Sequence, residues 1–361
     1  MNTTITRWQL FFVIIKTQIG IGLLSLPSEI QGSAKGDAWI SVLVAGCAIQ
    51  LLLLVYGGLM KRFPGDTLSQ MTRRMFGNYA GLALNVICFV FFILIAAYAC
   101  SLYVHLIRTW LLPLTPVWVL LLMIIATSVY LALENIRVIA RFFVLASVLF
   151  VILILISLLT FTNEMHISNV LPIGQSGMMQ VFQGSEKTFF SMLGFEVMLY
   201  FFPAVEKQPK GVLKIALLAN GFVTLFYTYF VFICLISYST NALAQVNEPV
   251  LFLFKGLAYQ LLDRLDLIFL SLWIIPMTST IVSYLALAGK SMTTGQIAYR
   301  RMVWISGLLV FLIGMYMALQ ENLDPFSKWL EYGYLMMIAA LPLLIYLGAF
   351  LLKNKGKGGT A

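Results

Sequence analysis

Charge is scarce in this sequence: Asp, Glu, Lys and Arg together supply 10% of the 361 residues, against roughly 25% in a soluble domain. That scarcity excludes a water-soluble enzyme and a nucleic-acid-binding domain. No stretch is long and polar enough to form a separate aqueous domain. Cysteine is scarce too. The four present, Cys47, Cys88, Cys100 and Cys234, all sit inside apolar runs, and no pair has metal-ligand spacing. They read as small hydrophobes in helix packing, so neither a disulfide framework nor a bound metal is expected. No phosphate-cradling loop and no nucleophile–histidine–acid constellation occurs, so the chain is not expected to be an enzyme or to carry a cofactor.

Apolar residues are abundant. They make up 61% of the chain, and the mean hydropathy is +0.95. The excess is spread along the whole length, which is the pattern of a polytopic membrane protein. With about 20 residues per membrane-crossing helix, the apolar runs predict ten spans. These are 8–30, 38–60, 79–111, 116–133, 138–161, 181–202, 212–238, 265–289, 303–319 and 330–352. A further apolar piece, 250–262, is too short to span and is expected at the interface or as a re-entrant segment. Placed on alternate loops, sixteen of the 23 basic residues fall on one side and six on the other, with Lys16 inside the first span. The positive-inside rule then predicts that both termini are cytoplasmic.

The longest central connection, 162–180, divides the spans five and five. An odd number per half inverts the second half relative to the first, as in transporters whose binding site lies near the midplane between inverted repeats. The expected repeats cover about 8–161 and 181–352 of a single transmembrane domain, followed by a disordered basic tail at 353–361. The first and sixth spans should then be broken. In the first, Gly20 and Gly22 flank Ile21, and Pro27 follows. Glycine weakens a helix by about 1 kcal/mol relative to alanine, and two of them either admit a ligand to the backbone or let helices pack closely. In the sixth, Gly194-Phe195-Glu196 leads to Pro203. Glu196 lies near the middle of its run, where a carboxyl must be paired, protonated or facing water. It either braces unwound backbone or handles an ion or proton. Lys16, one turn before Gly20, either holds the first helix in place or snorkels to the inner headgroups. His105 and His166 have no nucleophile partner and read as structural.

The Gly20-Ile21-Gly22 and Gly194-Phe195-Glu196 motifs on a five-plus-five layout resemble the amino acid–polyamine–organocation transporter superfamily. With ten spans, 361 residues, the stretch from Gly20 to Pro27 and Pro203 after the second motif, the chain resembles the B subunits of bacterial spore germinant receptors. The resemblance implies an all-α integral membrane protein with the LeuT-like inverted-repeat fold, broken at helices 1 and 6. It also implies a pocket for a small germinant, often an amino acid, at Gly20, Ile21, Gly22, Leu23, Gly194, Phe195 and Glu196. Tyr98 and Leu102 from the third span, with Thr278 and Ser279 from the eighth, would complete it. Ile21 stands where many transporters have Ser or Ala and narrows that pocket. The implied partners are an A-type membrane subunit and a C-type lipoprotein in the inner membrane of the spore. A proton- or sodium-coupled amino-acid transporter is the alternative.

Overall fold

The protein, seen here in a computed structural model, is described over residues 4–162, 164–206, 211–256, 264–293, 295–320 and 322–355. Hydrocarbon offers no hydrogen-bond partner to the backbone, so each apolar run closes its bonds internally as helix. Among the described residues there is no strand, only an isolated parallel bridge between Ile5 and Val205. Thr6 opens the first helix with a capping box: Gln9 N donates to Thr6 Oγ1 over 3.2 Å and Thr6 N to Gln9 Oε1 over 2.9 Å. This satisfies two of the donors that a helix start leaves open.

The first predicted span is two helices, α1 (Arg7–Gln18) and α2 (Gly22–Ala34), followed by α3 (Ala38–Arg62). The third is α4 (Leu68–Trp110). Gly77, with φ +80°, interrupts it and sets residues 68–76 off as a separate arm. Next come α5 (Val117–Ala132), α6 (Ile136–Ala146) and α7 (Val148–Ser157). Ser147 divides the last two, its Oγ donating back to the Phe143 carbonyl over 2.6 Å, a bond that bends helices. The sixth span is again split, into α8 (Met178–Ser191) and a short inner half containing α9 (Met198–Phe201). The rest is α10 (Val212–Ser237), α11 (Thr240–Gln245), α12 (Pro249–Lys255), α13 (Leu265–Met292), α14 (Gln296–Ala318), α15 (Asp324–Tyr334) and α16 (Leu341–Lys355). A π-helical turn, Leu335–Ala340, joins the last two. Its wider ring frees carbonyls, and the Ile338 carbonyl accepts the Tyr56 hydroxyl over 2.6 Å.

Seven helices among the described residues are long and apolar enough to cross a membrane, and Val117–Ala132 and Phe195–Ala204 are shorter apolar ones. The expected count of ten therefore rests on joining half-helices across their breaks. The expected short segment begins as α12, and its end lies outside the described residues, as does the tail beyond Lys355.

One continuous apolar core runs through the bundle. In it α13 packs on α4, α10 on α3 and α1, and α8 on α2 and α3. The loop after α7 is tied to the α2–α3 corner, where the Asp37 carboxylate accepts Gly174 N over 2.8 Å and Ser176 N over 2.9 Å. The two broken helices thus lie side by side in the middle of the bundle, with α10 behind them.

Candidate ligand-binding site

Both breaks occur where the glycine motifs place them. Helix α1 stops at Gln18, Ile19 is extended (φ −88°, ψ 98°), and α2 restarts at Gly22. Helix α8 stops at Ser191, and Gly194 adopts φ +122° before Phe195. Only glycine enters that region without strain. A second constraint acts on Gly194: a Cβ there would lie 2.5 Å from the Thr17 carbonyl carbon, 2.6 Å from its oxygen and 2.7 Å from Gln18 N. A Cβ on Gly22 would sit 3.0–3.2 Å from Ser191 Cβ, Cα and O. These two glycines are used to bring the backbones of the broken helices into contact with each other.

A helix end buried in apolar surroundings must find partners for its free carbonyls. Tyr227 on α10 meets this need at both breaks, its hydroxyl lying 3.0 Å from the carbonyls of Gln18 and Ser191. Gln18 Nε2 donates across the junction to the Met192 carbonyl over 3.0 Å and contacts Asn220 Oδ1 at 3.3 Å. Asn220 Nδ2 in turn donates to the Gly46 carbonyl over 3.1 Å. Neither Asn220 nor Tyr227 was anticipated. Their signal in the sequence is a spacing of seven within an apolar run, which sets two polar side chains on one helix face.

Glu196 is fully buried, and its Oε2 accepts Gly194 N over 2.9 Å. It therefore holds the irregular backbone at the second break, with Tyr284 beside it. Phe195 is enclosed by aromatic rings, its centroid 5.9 Å from Tyr56 and 6.2 Å from Tyr334.

A cavity of about 430 Å³ opens between the two breaks. Gly20, Ile21 and Gly22 line it from the first, Ser191 and Leu193 from the second, Tyr98 and Leu102 from α4, and Thr280 and Tyr284 from α13. Its mouth carries Glu29, Lys187, Lys328 and Glu331, with Lys187 Nζ donating to the Glu29 carbonyl over 3.0 Å. Of the other residues expected at the pocket, Leu23 is fully buried in the core. Gly194, Phe195 and Glu196 lie behind the second break, off the wall. Thr278 and Ser279 are also off it, and Ser279 Oγ is turned back onto the Ile275 carbonyl over 2.8 Å. The hydroxyl of that cluster on the wall is Thr280, whose Oγ1 lies 3.3 Å from the Lys16 carbonyl. Lys16 itself does not snorkel: its side chain is fully buried, with Nζ 3.8 Å from the Phe150 ring centroid.

Residues 4–322 match the family described as "Spore germination protein". Spore germination protein GerQB of Bacillus cereus is 24% identical over 349 residues, covering 94% of each chain. Among solved structures, a Na+-coupled sialic acid symporter in its substrate-bound outward-open state superposes with a TM-score of 0.71 at 14% identity, over 96% of this chain and 79% of that one. MhsT in complex with L-phenylalanine gives 0.66 at 15% identity, over 95% and 88%. At such identities the likeness is one of fold, and the fold is the LeuT-like one with both central helices broken.

Proposed function

The chain belongs to the spore germination protein family, and from that premise we propose that it senses a small germinant, an amino acid, in the cavity between its broken helices and signals to partner subunits. The observation that carries this reading is the cavity itself. It borders both breaks, and its volume of about 430 Å³ falls within the roughly 300–1,000 Å³ of small-molecule sites. The wall chemistry suits a zwitterion. Helix α2 starts at Gly22 without a side-chain cap, so its first N–H groups and the positive end of its dipole are available to a carboxylate. The carbonyl ends of α1 and α8 face the opposite charge. Tyr98 and Leu102 meet the ligand's side chain.

The receptor reading includes an A-type membrane subunit and a C-type lipoprotein as partners, in the inner membrane of the spore. It also includes two inverted repeats, at about 8–161 and 181–352, and cytoplasmic termini. The coupled transporter remains the second reading because one solved neighbour is a Na+-coupled symporter. The test is binding and uptake of labelled amino acids by the purified protein alone in liposomes. Saturable binding that Leu102→Trp abolishes, without accumulation, supports the receptor. Accumulation driven by a sodium or proton gradient gives the second reading. If no amino acid binds, the proposed ligand class is wrong.

A further inference from the structure

Helix α1 ends at Gln18, which stands on the wall of the main cavity. Gln18 is only 1% exposed, and its Oε1 is buried with no hydrogen-bond partner. We propose that this oxygen receives the ammonium group of the ligand, so that Gln18 is the residue by which the cavity selects α-amino acids over carboxylates that lack the amine. This role depends on the amino-acid reading given above.

Three observations converge on it. The first is the orientation of the amide. Asn220 Nδ2 donates to the Gly46 carbonyl over 3.1 Å, which turns Asn220 Oδ1 towards Gln18. Gln18 Nε2 meets that oxygen at 3.3 Å and the Met192 carbonyl at 3.0 Å. Turned over, the Gln18 amide would set its oxygen against two acceptors. The network therefore fixes Nε2 towards α10 and the second break, and Oε1 on the other edge. The second observation is that the neighbouring backbone acceptors are taken. The carbonyls of Gln18 and Ser191 share the Tyr227 hydroxyl, that of Met192 accepts Gln18 Nε2, and that of Lys16 accepts Thr280 Oγ1 over 3.3 Å. Oε1 accepts nothing, and a buried acceptor without a donor is destabilising until an N–H reaches it.

The third observation is charge. Gln18 is the last residue of α1, at the negative end of that helix dipole, while the positive end of α2 begins across the break at Gly22. An ammonium is favoured at the first and a carboxylate at the second. An α-amino acid carries these two groups one carbon apart, so its backbone matches the two sides of the break. Glu29, at the cavity mouth, stands two turns beyond Gly22, roughly 10 Å along α2. That is too far to pair with an amine whose carboxylate sits at Gly22.

The test is equilibrium binding to the full chain in nanodiscs. Three amino acids are each measured beside the acid of the same carbon skeleton without the amine: L-alanine and propionate, L-leucine and 4-methylpentanoate, L-phenylalanine and 3-phenylpropionate. The wild type should prefer the amino acid of a pair it binds by about tenfold or more, as befits a hydrogen bond to a charged group. Gln18→Met keeps the length of the side chain without the amide. It should weaken the amino acid, leave the des-amino acid unchanged, and so bring their ratio towards one. A merely structural Gln18 would weaken both alike. An unchanged ratio in Gln18→Met, or a wild type that binds both members of its pair equally, would overturn the assignment. Gln18→Glu keeps an acceptor oxygen and should hold or widen the ratio. A collapsed ratio there would also overturn it, and this readout stands where Gln18→Met fails to fold. A wild type that binds none of the three amino acids would instead refute the ligand class, and the role of Gln18 with it.

Discussion

Alanine at Gly194 should be the most damaging of three glycine substitutions at the helix breaks, and the structure gives the order. Its φ of +122° costs an alanine about 1–3 kcal/mol. The added Cβ would also lie 2.5–2.7 Å from the backbone of Thr17 and Gln18. Backbone cannot rotate aside, so relief requires the two broken helices to separate, an overpacking cost of roughly 1–3 kcal/mol. Together these amount to about 2–6 kcal/mol. At Gly22 the neighbours are Ser191 atoms at 3.0–3.2 Å, which must give by a few tenths of an ångström. The gain in helix propensity, about 1 kcal/mol, offsets part of this, leaving roughly 0–2 kcal/mol. At Gly20 the nearest atom is the Thr280 hydroxyl at 3.2 Å, the tip of a side chain that can turn. Alanine there should be near neutral, since restricting the unfolded chain offsets the contact by about 0.4–1 kcal/mol. Tryptophan fluorescence melts of the three purified variants would read the series. A Gly194→Ala protein that melts with the wild type, or a Gly20→Ala protein less stable than it, would show that contact between the broken helices does not limit stability.

Glu196→Gln keeps an acceptor for Gly194 N and should retain assembly and stability, whereas Glu196→Ala leaves that buried N–H unpaired at a cost of about 1–3 kcal/mol. An assembled Gln variant without ligand response would instead assign the carboxyl to ion or proton handling. Tyr227→Phe removes the hydroxyl shared by the Gln18 and Ser191 carbonyls and should lower stability by about 1–3 kcal/mol, seen as a lower melting temperature; an unchanged melt would show that those carbonyls find other partners. Burial pushes the Glu248 carboxyl up from its usual value, and the charge of His105 opposes this only in part. Its ionised form is therefore penalised in the folded state at neutral pH, and the penalty is relieved as pH falls through the raised pKa towards 4.5. Glu248→Gln should stabilise the protein at pH 7 and flatten the pH dependence of its melting temperature, and a variant that melts lower at pH 7 would contradict this.

Hydropathy period and glycine placement made the architecture legible. Apolar runs must be helices in a membrane, and a positive φ selects glycine in the chain itself, so both breaks could be located from residues 20–22 and 194. Gly20, Ile21 and Gly22 line the cavity at the first break, and Tyr98 and Leu102, which only the resemblance to the transporter fold pointed to, line it from α4. The arm before Gly77 and the π turn at Leu335–Ala340 left no such mark, since neither changes the apolar pattern around it.

What the sequence by itself determined about this protein is its medium, its helical content and the two points where helix gives way. Those are local properties, carried by composition and by backbone freedom at single residues. Tertiary structure alone decided how the breaks are satisfied and which side chains face the cavity. Gly22 and Gly194 serve the contact between helices because Ser191 and Thr17 stand opposite them. Thr280, rather than Thr278 or Ser279, reaches the wall because about 100° of helix rotation separates successive residues. The shared partner of both breaks, Tyr227, lies more than 200 residues from Gln18. A hydrogen bond across that separation depends on the packing of α10 behind α1 and α8, and no local pattern encodes it.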